Sequence, residues 1–90
     1  MLDRTMRALG DPTRREILRA LRERDRSAGE IAAMFPITGA SVSHHLSVLK
    51  EAGLVQAERD GRSIVYSLDT TVFQEVLEEF MRYFGVGGSS

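Results

Sequence analysis

The stretch Ser41-Val42-Ser43-His44-His45-Leu46-Ser47 crowds three hydroxyls and two imidazoles into seven residues. Such groups can attack, ligate or hydrogen-bond. A Ser43–His44 nucleophile–base pair fails on geometry, because neighbours on a helix diverge by about 100° and no acid is placed to orient the ring. The same divergence keeps His44 and His45 off a shared zinc ion. With no cysteine in the chain, no four-ligand set for a first-row metal can be assembled. Hydrogen bonding remains. Ser donates to or accepts from any base edge or phosphate oxygen, and His can do either. Arg59 and Arg62, close together further on, carry guanidiniums suited to phosphate or to a narrow minor groove. Glu75, Glu78 and Glu79 could hold a hard cation weakly, but read better as an exposed carboxylate face. No catalytic or metal-binding residue and no cofactor is expected.

The elements that must position these groups are legible from periodicity and caps. Leu2, Met6 and Leu9 recur at helical spacing and Gly10 ends the run. Asp11-Pro12 restarts the chain as N-cap and first helical residue. Ile17, Leu18 and Leu21 form the stripe of this second helix, which frays near Arg24–Arg26. Ser27-Ala28-Gly29-Glu30 is a capping box and predicts a short helix from Ala28 to about Met34, stopped by Pro36. Thr38 caps a fourth helix over 39–52, with Gly53 as its C-terminal signal. The period then changes to two in Val55–Arg59 and Ile64–Leu68, with Asp60-Gly61 as the two-residue hairpin turn and Arg59 and Arg62 flanking it. Asp69 caps a last helix from Thr70 to about Phe84. The expected fold is mainly α with a β-hairpin (α+β), a winged helix-turn-helix of order ααααββα. Residues 1–84 form one domain and 85–90 a flexible tail.

On the fourth helix Val42, Leu46 and Leu49 define the buried side, and Ala40, His44, Ser47, Val48 and Glu51 lie opposite, flanked by Ser41 and Ser43. A small, polar outer face is often no more than solvated surface. Between a short helix and a hairpin it favours close approach to a major groove, and the helix start at Gly39 and Ala40 offers free N–H groups to phosphate. The candidate DNA contacts are Gly39, Ala40, Ser41, Ser43, His44 and Ser47, with Arg59 and Arg62 on the wing (58–63). His45, beside the buried stripe, is as suited to internal packing or hydrogen bonding as to DNA. Arg15 is either a phosphate clamp or, with Arg14, a structural residue.

The last helix carries two interleaved apolar stripes, where a surface helix needs one. Phe73, Val76, Leu77, Phe80, Met81 and Phe84, with Leu2, Met6 and Leu9 of the first helix, are the candidate homodimer interface. No polar groups converge among them to orient a small ligand. Chain size points the same way, since a domain this short buries only about 60–65% of its unfolded surface.

Charge and composition remove other classes. The net charge is −1, but the acid is concentrated at the C-terminal end, where Arg82 faces Asp69, Glu75, Glu78 and Glu79, so an anionic partner meets the rest of the chain. No run is apolar and long enough for a membrane span. The first residues lack the apolar stretch of a secretory signal, and with no cysteine the expected compartment is the cytoplasm. A phosphate-cradling glycine loop, a nucleophile elbow and a paired-acid cleft are all missing from the pattern, so an enzyme is not expected.

Ala8-Leu9-Gly10-Asp11-Pro12-Thr13-Arg14-Arg15-Glu16-Ile17-Leu18, followed by Ser41-Val42-Ser43-His44-His45-Leu46-Ser47-Val48-Leu49-Lys50-Glu51-Ala52-Gly53-Leu54-Val55, resembles the ArsR/SmtB family of bacterial transcriptional repressors. The wing Arg59-Asp60-Gly61-Arg62 and Val65-Tyr66-Ser67-Leu68 fit as well. The resemblance implies a homodimer on an inverted-repeat operator in double-stranded DNA, with Ser41, Ser43 and His44 in the groove and the wing on the minor groove or phosphates. It departs from the metal-sensing members. Glu30-Ile31-Ala32-Ala33-Met34 stands where many carry cysteines, and the last helix has no histidine. What remains is similar to the non-metal-sensing autorepressor branch, whose members are in some cases released by a protein anti-repressor; the residues show no small-molecule ligand. The alternative reading is a winged-helix module that docks on a protein through its apolar last helix.

Overall fold

Among the described residues, four of the five helices begin at a side chain that accepts a hydrogen bond from the first turn, which satisfies N–H groups that a helix start leaves open. Asp11 Oδ2 accepts from Arg14 N at 3.0 Å. Ser27 Oγ accepts from Glu30 N at 3.1 Å while Glu30 Oε1 takes Ser27 N at 2.8 Å, so the capping box closes in both directions. Thr38 Oγ1 accepts from Ser41 N at 3.1 Å and Asp69 Oδ1 from Thr71 N at 2.9 Å. The computed structural model describes residues 2–85 of the chain, the side chain of Leu2 excepted. The order is α1 (Leu2–Leu9), α2 (Pro12–Glu23), β1 (Arg26–Ser27), α3 (Ala28–Ala32), α4 (Gly39–Glu51), β2 (Val55–Asp60), β3 (Ser63–Leu68) and α5 (Thr70–Phe84). Of the expected tail, everything beyond Gly85 falls outside the described residues.

Three expectations need correction. The order ααααββα omits a strand: Arg26 and Ser27 pair antiparallel with Tyr66 and Val65, giving a three-stranded sheet β1-β3-β2. Two residues are too few to carry a period of two, so what reads as helix fraying is a strand. The hairpin turn is Gly61-Arg62, not Asp60-Gly61, because Asp60 pairs with Ser63. Gly61, at φ +64°, supplies the left-handed residue, and Arg62 is the second turn residue. In α1 the buried side chains are Thr5 and Ala8, while Met6 is 46% exposed and Leu9 half-buried. The small pair lets α1 lie close on its neighbours and leaves Met6 to solvent, while Leu9 packs partly against the core. Lastly, α3 ends at Ala32, short of Met34, because Met34 N and Phe35 N bond to carbonyls three residues back and tighten the last turn.

One core joins these elements. Ile17, Ile31, Leu49 and Leu54 are sealed from solvent, with Ala8, Leu18, Leu21, Val42, Leu46, Ala52 and Val55 around them. At the end of α4 the chain turns through Gly53, φ +77°. Gly53 N bonds Lys50 O and Leu54 N bonds Leu49 O, each at 3.0 Å, the paired bonds of a Schellman end. A Cβ on Gly53 would sit 2.8 Å from Val72 Cγ2 on α5. No helix among the described residues is long and apolar enough to cross a membrane.

The capping carboxylates tie the fold to pH. Asp11 is held below the usual carboxylate range chiefly by the Arg14 N–H, with the His45 ring and Arg14 charge adding to it against a smaller opposing effect of burial. Glu30 is lowered by the Ser27 N–H and Arg24, and Asp69 by the Gln56 amide and the Thr71 N–H. A lowered carboxyl contributes stability that is complete above its unfolded value and drains as pH falls through the folded one. We expect the thermal midpoint to drop as pH falls below about 4. Asp11→Asn, which keeps the cap acceptor without its charge, should flatten part of that slope. A level midpoint of the parent chain into acid, followed by circular dichroism, would contradict the assignment.

Candidate nucleic-acid interface

The alternation of face along α4 settles which of its side chains are available. Val42, Leu46 and Leu49 are buried, and Gly39, Ala40, Ser41, Ser43, His44 and Ser47 are all exposed. Thr38 occupies Ser41 N, and the amides of Gly39 and Ala40 belong to the helix start that has no intrahelical acceptor. One residue expected on the outer face is not there: Val48 is half-buried and packs against the core. The outer face is therefore small, hydroxyl-rich and without a fixed charge over its first two turns.

The wing presents its cations at the tip. Arg59 pairs across the hairpin with Ile64, and Arg62 sits in the turn; both are exposed. Glu58 and Asp60 share β2 with Arg59, so the tip is mixed in charge and depends on where the two long guanidinium stems reach.

The arginines of α2 have other employment. Arg14 Nε donates to Ala8 O at 2.8 Å and Nη2 to Arg7 O at 2.9 Å. Arg15 Nη1 donates to Leu9 O at 2.7 Å. Together they close the carbonyl end of α1, where cations are favoured. Of the two roles open to Arg15 this is the structural one. Arg26 does the same for α2, its Nε donating to Ala20 O at 3.0 Å.

His45 turns inward. Its side chain is 15% exposed, and its Nδ1 lies 3.8 Å from Asp11 Oδ2 and 3.2 Å from Arg14 Nη1. Of the roles open to His45 this is internal hydrogen bonding, and it leaves His44 as the imidazole on the exposed face. Sequence reasoning missed the Arg14–His45 contact. The two residues are 31 apart, and no local spacing links them.

The acidic last helix resolves into separate groups. Glu79 pairs with Arg82 at 2.6 Å, while Glu75 and Glu78 are exposed. Among the described residues no three His, Asp or Glu side chains converge to hold a metal ion. Of the residues expected to meet a second copy, Val76 is 5% exposed and buried within the chain itself, which corrects that expectation. Phe73, Phe80 and Met81 are half-buried. Leu77 is 55% and Phe84 72% exposed, the Phe84 ring stacked on Phe80 at 6.2 Å. Tyr83, at 68%, joins this open apolar face. Met6 lies exposed on α1, and Leu9 is half-buried.

Known proteins share this arrangement. Residues 11–57, from the cap of α2 into β2, match the family model described as bacterial regulatory protein, arsR family. The chain is 41% identical over 86 residues to the transcriptional repressor SdpR of Bacillus subtilis (strain 168), covering 96% of each chain. It is 41% identical over 75 residues to the HTH-type transcriptional regulator NmtR of Mycobacterium tuberculosis, spanning 83% of this chain and 62% of that one. The solved ArsR-like transcriptional regulator from Rhodococcus sp. RHA1 superimposes with a TM-score of 0.86 at 31% identity, covering 93% of this chain and 77% of that one. The match over residues 11–57 and the 41% identity to SdpR over nearly the whole chain show that the chain belongs to the arsR family of bacterial regulatory proteins.

Proposed function

We propose that the chain is a transcriptional repressor that binds double-stranded DNA in the cytoplasm as a homodimer on an inverted repeat. In this reading α4 lies in the major groove with Ser41, Ser43, His44 and Ser47 toward base edges. Gly39 and Ala40 bring the helix start close to a phosphate. Arg59 and Arg62 reach phosphates or the minor groove from the wing. Residues 1–84 act as one unit, in which α1 and α5 join the copies through Met6, Leu9, Leu77, Phe80, Met81 and Phe84. The exposed polar row of α4, set on a buried stripe of the same helix, is the observation that carries this reading. Ala32, Ala33 and Met34 cannot supply thiolates, so release does not run through a cysteine site on α3. A protein anti-repressor is the releasing partner in this scheme.

The test uses a duplex selected by the purified protein from a random-sequence pool, titrated across salt against a scrambled duplex. Two chains should bind per site, with affinity falling steeply as salt rises. Ser43→Ala or His44→Ala should cost about 1–3 kcal/mol of discrimination at the base each reads. Arg62→Ala should weaken all sequences alike and reduce the salt slope by about 1. If neither change touched binding, the reading face and the wing would be misassigned. A monomer without preference for any duplex would favour the protein-docking alternative, for which the open face of α5 is the surface.

A further inference from the structure

We infer that the Arg14–His45 contact positions the recognition helix against α1, and that only the neutral imidazole makes it, so operator affinity falls when His45 takes up a proton. The inference rests on the DNA-binding reading above.

One guanidinium joins three helices. Arg14 N is fixed by Asp11 Oδ2, and its Nε and Nη2 are fixed by the Ala8 and Arg7 carbonyls at the end of α1. The remaining nitrogen, Nη1, faces His45 Nδ1 on α4 at 3.2 Å. Arginine has donors and no acceptor, so Nδ1 must offer a lone pair and the ring proton must sit on Nε2. Protonation removes that lone pair and sets an imidazolium against a guanidinium. The ring's charged and titratable neighbours among the described residues are Arg14, Asp11 and, with ring centroids 5.9 Å apart, His44; α1 contributes carbonyls through Arg14. Asp11 Oδ2, 3.8 Å from Nδ1, is the acceptor open to the charged ring. It is also the oxygen that caps α2, so the charged ring would be drawn toward the start of α2 and away from the Arg14 guanidinium.

The two states differ in what α4 leans on. With the neutral ring, α4 is tied through Arg14 to α1. With the charged ring it is tied to the start of α2. His44 and Ser43 precede His45 on the same helix and face outward, so any shift at His45 moves the reading side chains directly. In the proposed dimer α1 borders the second copy, so Arg14 also links each reading helix to the interface that sets their separation.

The experiment measures affinity for the selected duplex from about pH 8 to about pH 5.5, the range in which imidazole side chains titrate, at constant salt. The parent chain should lose affinity about tenfold toward acid, the loss of one hydrogen bond to a charged group. His45→Asn places an amide oxygen near the Nδ1 position and gains no charge, so it should flatten the profile. His44→Gln should change base preference and keep the acid loss. Arg14→Met should flatten the profile as well, and should also tolerate one base pair added between half-sites, which a merely local packing defect would not produce. Melting curves accompany each variant, and His45→Asn carries the test if Arg14→Met fails to fold. A His45→Asn profile that falls like the parent's, or a parent profile that is level or rises toward acid, would overturn the inference. Absence of preference for any duplex at every pH would overturn the DNA-binding reading and this inference with it.

Discussion

Replacing Gly53 by alanine should destabilise the chain by about 2–4 kcal/mol, the left-handed backbone contributing about 1–2 and overpacking the remainder. Gly53 stands at φ +77°, where a Cβ is disfavoured whatever the space around it. Here the space is also closed, since that Cβ would meet Val72 Cγ2 at 2.8 Å. Valine is β-branched and stiff at χ1, so α5 itself must give way. For a domain of this size each kcal/mol moves the midpoint by about 4–8 °C, which makes the change unmistakable in a thermal melt. Gly61→Ala is the control. Its φ is +64° but nothing lies within 4 Å of the added Cβ, so it reports the backbone cost alone. Val72→Ala in the Gly53→Ala background should recover the steric part. Equal losses at Gly53 and Gly61 would show that α5 does not press on the end of α4.

Leu77→Glu should leave the fold intact and abolish the proposed dimer. Leu77 is 55% exposed, so a charge there costs the isolated chain little, whereas across an apolar interface it must be desolvated. Sedimentation should report a monomer with the parent's helical content. Operator affinity should fall by about 10²–10⁴, the gain that two linked half-sites have over one. Glu75→Lys, about 160° around the same helix, should change neither. A dimer that survives Leu77→Glu would remove α5 from the interface. A monomer with undiminished affinity would show that one copy suffices.

The parts of this fold that were legible are those written locally. Asp11, Ser27, Thr38 and Asp69 each cap within three residues, and a bond that short is visible as spacing. The buried stripe of α4 is equally local, three residues at helical intervals. What escaped depends on partners distant in sequence. β1 exists because Tyr66 and Val65 are there to pair with it. The turn moved by one residue because strand register places Asp60 opposite Ser63, overriding the Asp-Gly preference. The polar row of α4 was readable for the same reason as its stripe, whereas the inward turn of His45 depended on Arg14, far earlier in the chain.

The third strand has a mechanical consequence. β1 braces β3 only at Tyr66 and Val65, while the pairs Arg59–Ile64 and Asp60–Ser63 lie beyond it on two strands alone. The hairpin is a cantilever, clamped at its root and compliant at its end. Its clamp is shared, because Ser27 both pairs with Val65 and caps α3, so the root and the first helix of the reading unit move as one piece. In the proposed complex a load taken up at Arg62 would be absorbed first by bending of the two-stranded span, letting the tip follow grooves of different width while α4 keeps its seat.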